Sequence, residues 1–252
     1  MTNLTNQPDA ASLIADLQRR LDAAADPQTK AWFENYLKHA IRYRGVKTPQ
    51  VARLVAEWSR EHDLKHHPVE TQLALARSLL LQDHAEDKFA GTLCIQKYLL
   101  RRAEADALLK TAEDLFSRGA FCDWSTTDWF CIRVLGPVIV RHGCGAAKHI
   151  AGWRNAEDIW QRRASIVPFR AVVHNQAYHP LIESVVAALV NEKERFIQTG
   201  IGWVISDLSK SFPGLVEAMV DRHFDDLSTE VIRRHTKRLP KHRAYIERKR
   251  AK

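Results

Sequence analysis

The sequence predicts an all-α fold built as a superhelical stack of antiparallel helix pairs. Three observations carry that expectation. Apolar residues recur at helical spacing along most of the chain, as in Phe196, Ile197, Gly200, Ile201, Val204, Ile205 and Leu208. No alternating run bounded by Asn-Gly or Asp-Gly turns marks a strand. The breaks between periodic segments are short. About a dozen helices of roughly 10–18 residues result, and each pair must bury its apolar face on its neighbours. No clean period is visible, so the repeats are degenerate, and a compact irregular helical bundle is the alternative. A curved stack would offer a concave face to a partner.

The elements follow in order. Leu13, Ile14, Leu17 and Leu21 form the first stripe, and TKAWFENYLKHAI reads as a second helix. In GVKTPQVARLVAEW, Gly45 closes the preceding helix, Thr48 caps the next and Pro49 takes its first position. Further helices are expected over about 69–82, 86–101, 103–117, 126–141, 157–173, 178–191, 193–211, 214–225 and 229–238. HGCGAAKH, His142 to His149, is the loosest spot, yet not a domain boundary. Residues 1–238 are expected to form a single helical domain and 239–252 a basic C-terminal tail.

Composition bounds the partners. The chain has 252 residues, 45% hydrophobic and 27% charged, enough for a sizeable core without staples. No apolar run approaches a bilayer span, and MTNLTNQPDAAS lacks the basic start and apolar core of a signal peptide. Cys94, Cys122, Cys131 and Cys144 show no CxxC pairing and read as reduced, mostly buried thiols of a cytoplasmic protein. The net charge is +8, but Arg233 to Lys252 holds ten Lys or Arg against one acid, Glu247. The tail therefore carries +9 and residues 1–232 about −1. Such a tail suits a polyanion, or is simply a solvated terminus.

Several motifs lead nowhere. GCGAAK lacks a third glycine and follows no strand, so it is a poor phosphate-binding turn. His142 and Cys144 have no second ligand pair, and His66 and His67 are adjacent and point apart on a helix. No HExxH, Walker or GxSxG sequence is present, so neither a metal nor a cofactor is expected.

What remains is a constellation on three helices. CDWSTTDWF sets Trp124 four residues before Asp128, on one helix face. A helix start, with Asp123, Ser125 or Thr126 as cap and the Trp in the core, explains this blandly. DIWQRRASI sets Arg163 one turn past Trp160. FIQTGIGWVI places Trp203 beside Gly200 and Gly202. Glycine inside a helix costs roughly 0.5–1 kcal/mol against alanine, so something packs or passes close to that backbone. Tight helix–helix packing would suffice.

These segments resemble the DNA alkylation repair family of HEAT-like-repeat DNA glycosylases, the AlkD-like proteins. The resemblance runs in register from about residue 28 to 238, through YLKHAIRYRGVKTPQVARL, FAGTLCIQKY, WSTTD, WQRRASI and FIQTGIGWVI. It implies a HEAT-like fold with a concave DNA-binding face. It implies that Asp128 is the catalytic carboxylate, that Trp124 and Trp203 flank the lesion's deoxyribose, and that Tyr36 lines the same aromatic cleft. Arg163 would hold a backbone phosphate, with Arg162, Lys47, Arg170 and Lys210 as further DNA-binding residues. The implied partner is double-stranded DNA with alkylated bases, met by a monomer without cofactor, metal, membrane or obligate protein partner. Members release N3- and N7-alkylated purines, working from the backbone side instead of drawing the base into a deep pocket.

The chemistry suits the residue types. N3 or N7 alkylation makes the purine cationic, so it leaves neutral and needs no general acid. A carboxylate stabilises the oxocarbenium-like sugar and orients a water. Indole faces add cation–π attraction of roughly 0.5–2 kcal/mol each. Departures fall on the DNA footing: Ser125 stands where the family can carry an acid, and Ser206 and Ala171 where a basic residue can stand, with Arg170 adjacent. Phosphate attraction by the tail would compensate. Two alternatives stay open: a non-catalytic member reading damaged or branched DNA by shape, and a helical scaffold for proteins.

Overall fold

A computed structural model describes residues 9–251. Every regular element among them is helical, and one isolated bridge joins Arg42 to His84. The expected all-α architecture of short, repeat-type helix pairs is what the chain adopts. It divides into two compact units, Met1–Phe130 and Cys131–Lys252.

The first unit holds α1 (Ala10–Ala23), α2 (Pro27–Tyr36), α3 (Thr48–Glu61), α4 (Val69–Leu80), α5 (Ala85–Cys94), α6 (Ala105–Ser117) and α7 (Trp124–Phe130). Helix α5 is its axis: all ten of its residues are buried, and it packs on α3, α4 and α7. Gly91 permits the closest approach, since a Cβ there would lie 2.6 Å from the Ala76 carbonyl oxygen and 2.8 Å from Leu80 Cγ. Buried charge needs partners, and α5 has them. The Glu86 carboxylate accepts from the backbone N–H groups of Arg44, Gly45 and Val46 at 2.8–3.1 Å. Asp87 takes Arg44 Nη1 at 2.7 Å.

Gly45 does not close a helix. Helix α2 ends at Tyr36, and Lys38 and His39 turn the chain at φ 55° and 57°. Gly45 lies well beyond, at φ 101°, where its Cβ would meet the Asp26 carbonyl and lie 2.8 Å from Lys30 N. Lys47 holds the N-cap position of α3, and Thr48 is the first helical residue, with no side-chain cap bond. The close pass of two backbone stretches sets the glycine, a constraint invisible to local pattern.

The second unit runs through a π turn, Cys131–Leu135, into α8 (Gly136–Gly152), α9 (Ile159–Ala164), α10 (His179–Leu189), α11 (Arg195–Leu208), α12 (Pro213–Arg222), α13 (Thr229–His235) and α14 (His242–Arg250). Gly143, at φ 70° and ψ −151°, kinks α8 within HGCGAAKH. The segment expected as one helix over 157–173 is α9, started by Asp158 accepting from Gln161 N at 2.7 Å, then a 3-10 stretch, Val167–Ala171, that contains Pro168. Helix α11 packs on α9, α10, α12, α13 and that 3-10 stretch.

Residues 239–252, set apart by their charge, include α14. Tyr245 is buried and donates its hydroxyl to Asp221 at 2.9 Å, and the Arg248 guanidinium covers Phe224 at 3.9 Å. By length and hydropathy alone, Trp124–Asn155 is long and apolar enough to cross a bilayer, which the sequence reading did not anticipate; half of its most apolar window is buried inside the structure, as in a core helix. All four cysteines are free, but only Cys94 and Cys131 are buried.

Candidate nucleic-acid interface

In the first unit the site begins at a helix start. Asp123 caps α7, its carboxylate accepting from Ser125 N at 2.7 Å and Thr126 N at 3.1 Å and from the Thr126 hydroxyl. The bland explanation thus holds for Asp123 and not for its neighbours. Trp124 is half-buried instead of core, with the Tyr36 ring edge-on at 5.5 Å. Tyr36 in turn stacks on Trp32 at 5.1 Å, and both of these rings are more than half exposed. The result is an exposed aromatic surface whose innermost member heads the helix of Asp128.

Asp128 is 3% exposed, one turn below Trp124. Thr126, Thr127 and Phe130 are buried beside it, and Trp129 packs on Phe89 at 4.7 Å. The Asp123 carboxyl is pushed up by burial, held back by its Thr126 and Ser125 bonds, and raised further by the Asp128 charge. A carboxylate so placed sits in low dielectric, where its attraction for a cation is stronger than in water.

The second unit builds around Trp203 on α11. The Arg170 guanidinium lies 4.6 Å from its ring centroid and that of Arg163 5.7 Å. Arg170 Nε also binds Asp207 Oδ2 at 2.6 Å, and Lys210 binds Asp207 Oδ1 at 2.6 Å. Burial would raise the Asp207 carboxyl, but the bonds from Lys210 and Arg170 outweigh it and hold it below the usual range. The two cations thus share one acid. Arg163 differs: it is 2% exposed and donates to the Phe196 carbonyl and, at 3.2 Å, to the Thr199 hydroxyl.

The two glycines beside Trp203 have separate tenants. The Arg163 side chain lies against Gly200, 3.3 Å from where a Cβ would stand, and the His235 ring fills the space a Cβ of Gly202 would need. One turn past Trp203, Ser206 Oγ accepts from Arg238 Nη1 at 3.2 Å. A cation therefore reaches Ser206, where the sequence carries none, from the segment after α13.

The remaining expected DNA contacts divide. Arg162 is committed within the protein, to Glu192 at 3.1 Å and to the Ala156 and Glu157 carbonyls at 2.8 and 2.7 Å. Lys47 is exposed at the head of α3. Trp32, His235, Asp207 and Arg238 were not singled out from sequence. Trp32 and Asp207 had a signal, the i, i+4 spacing to Tyr36 and to Trp203; His235 and Arg238 meet Trp203's neighbours only in space. Among the described residues no group of three His, Cys, Asp or Glu could hold a metal ion.

The first unit thus presents an exposed aromatic surface at the helix of a buried carboxylate, and the second an indole faced by arginines. The sequence model of the DNA alkylation repair enzyme family matches residues 17–239, and the chain belongs to that family. A solved structure described as a predicted DNA alkylation repair enzyme from Enterococcus faecalis superposes with a TM-score of 0.74 at 21% identity, over 86% of this chain and 97% of that one. No curated protein matches.

Proposed function

We propose that the protein is a monofunctional DNA glycosylase that hydrolyses the N-glycosidic bond of cationic N3- and N7-alkylated purines in duplex DNA. The observation that carries this reading is Asp128, a carboxylate buried to 3% exposure one turn below a half-buried tryptophan. A protein that only binds DNA gains nothing from such a group, which repels phosphates.

In the proposed reaction the glycosidic bond breaks heterolytically and its electron pair leaves with the alkylated purine, whose positive charge it neutralises. The Asp128 carboxylate stabilises the positive charge left on the sugar and orients the water that adds to C1′. Trp124 and Tyr36 hold the sugar by their ring faces and edges. In the second unit, Trp203 offers an indole face to the DNA, while Arg170 and Lys210, each partly exposed, meet backbone phosphates. Arg163 is assigned to the ring of Trp203 and the α11 backbone, since its burial leaves the phosphates to Arg170 and Lys210. Lys47 adds a phosphate contact; Arg162 is assigned to holding α9. No lysine nucleophile is invoked, so no strand cleavage follows base release.

The test is base release from duplex DNA carrying 7-methylguanine, with the free base separated and quantified. Release that leaves an intact abasic strand supports the proposal. Tight, salt-dependent binding of the same duplex with no release supports the alternative, a non-catalytic reader of damaged or branched DNA. Cleavage of the strand with release contradicts the monofunctional assignment.

A further inference from the structure

A further cationic feature lies in the first unit, at the segment that leads into α7. A cavity of about 460 Å³ opens between the turn that follows α2, the turn between α4 and α5, and the segment leading into α7. Its lining carries the cations Arg42, Lys88 and Arg118, with His39 beside them, against one acid, Asp83. We propose that this cavity is a phosphate-binding site, and that its ligand is a backbone phosphate of the duplex held at the aromatic surface. The proposal rests on the DNA-repair reading for the source of the phosphate, though not for the site.

Lys88 is the core of the argument. It is 5% exposed, yet its ammonium group meets a carbonyl, Leu80 O at 2.9 Å, and among the described residues no carboxylate bonds it. The neighbouring Asp87 is taken by Arg44, and Asp83 stands exposed, 3.6 Å from Arg42. Burial accordingly pushes the Lys88 ammonium below its usual range. An ammonium uses three donors, and a buried one bonded to no anion is costly, even with Asp123, Asp83 and Asp87 favouring its charge from nearby. Capping the C-terminus of α4 explains the Leu80 bond, but it leaves Arg118 and His39 unexplained. Both are exposed on the same cavity wall, and among the described residues neither makes a side-chain hydrogen bond or ion pair.

The shape also fits. Guanidinium forks and an ammonium match the tetrahedral oxygens of a phosphate. Gly119, at φ 65°, has no atom within 4 Å of its Cβ position, which leaves that wall open to a chain passing through. The Cys122 thiol donates to the Ala40 carbonyl at 3.3 Å, tying the two rims together before any ligand arrives. Placement selects the source: His39 follows Tyr36 by three residues, and Cys122 precedes Trp124 by two. The cavity therefore continues the aromatic surface along the chain, where a strand resting on Tyr36 and Trp124 carries its next phosphates.

The experiment uses the full chain and the double variant Arg42→Ala/Arg118→Ala, whose side chains are exposed and leave the fold alone. Duplex affinity is measured across a salt series, and the unfolding midpoint is measured with and without inorganic phosphate. The site predicts a drop of roughly 1–2 in the slope of log K against log salt, and a rise in the wild-type midpoint with phosphate that the variant loses. An unchanged slope with phosphate protection lost would keep the site and overturn the backbone assignment in favour of a free phosphate. No change in either readout would overturn the proposal and leave Lys88 as a helix cap. Base release is read separately: a reduced slope in a protein that releases no base sinks the glycosylase and keeps this site, and the converse result does the reverse.

Discussion

Helices α5 and α11 each run through the middle of their unit, and they handle close packing differently. Helix α5 is buried on every residue and carries Glu86, Asp87 and Lys88 inward, with both acids bound to named protein donors. Helix α11 is buried by small residues, Gly200 and Gly202, that admit Arg163 and His235, and it leaves Trp203 on its outer edge. In α5 charge serves the scaffold. Around α11 it gathers at an aromatic ring. The lesson is that a buried charge points beyond the scaffold only when the protein's own backbone and counter-ions do not already explain it, and among α5's charged residues that leaves Lys88.

The largest expected effect breaks the scaffold side of this comparison. Glu86→Ala strands up to three backbone donors and should cost roughly 3–5 kcal/mol by urea unfolding. A loss under about 1 kcal/mol would mean those N–H groups find other acceptors. Next come the glycines. Gly91→Ala meets a backbone carbonyl that cannot step aside and should cost about 2–3 kcal/mol, whereas Gly202→Ala meets a ring that can turn and should cost about 1 kcal/mol. Equal costs would deny that α5 is the tighter helix.

Trp203→Ala tests the functional side. It should reduce base release about tenfold or more, in keeping with the loss of a cation–π contact of roughly 0.5–2 kcal/mol and of sugar contact, while lowering stability less than Glu86→Ala does. Full activity would confine Trp203 to packing. The smallest effect is on pH. Burial holds His235 below its usual range, with Arg234 and Arg170 pushing the same way and Glu230 and Asp207 opposing. Its folded pKa is thus below the unfolded one, so its contribution is present above about pH 6.5 and is lost as pH falls. The unfolding midpoint should drop between pH 7.5 and 5.5, and His235→Gln should shrink that drop without abolishing it, because His223 is held down by burial too. An unaltered drop would assign the effect elsewhere.

The helices were legible because apolar periodicity is local: the stripe from Phe196 to Leu208 predicts α11 almost to its ends. The aromatic pair Tyr36 and Trp124 was named from sequence, and the structure brings the two rings together. What sequence could not give were facts set by chain crossings. Gly45 answers to Asp26 and Lys30, Arg163 is buried by α11, and Arg238 reaches Ser206 from 32 residues away. Helix α14 was hidden for another reason: its charge reads as a tail, and only the packing of Tyr245 and Phe224 shows a docked element.

The most direct test of the central claim is the single-turnover rate of 7-methylguanine release by Asp128→Asn under saturating protein, with duplex affinity measured in parallel. The change keeps the side chain's shape and removes its charge. A rate lowered by about 100-fold or more with affinity retained is the predicted result, the size expected when one electrostatic contact to the transition state is lost. Release at the wild-type rate would contradict the assignment and reduce Asp128 to another buried acid of the scaffold.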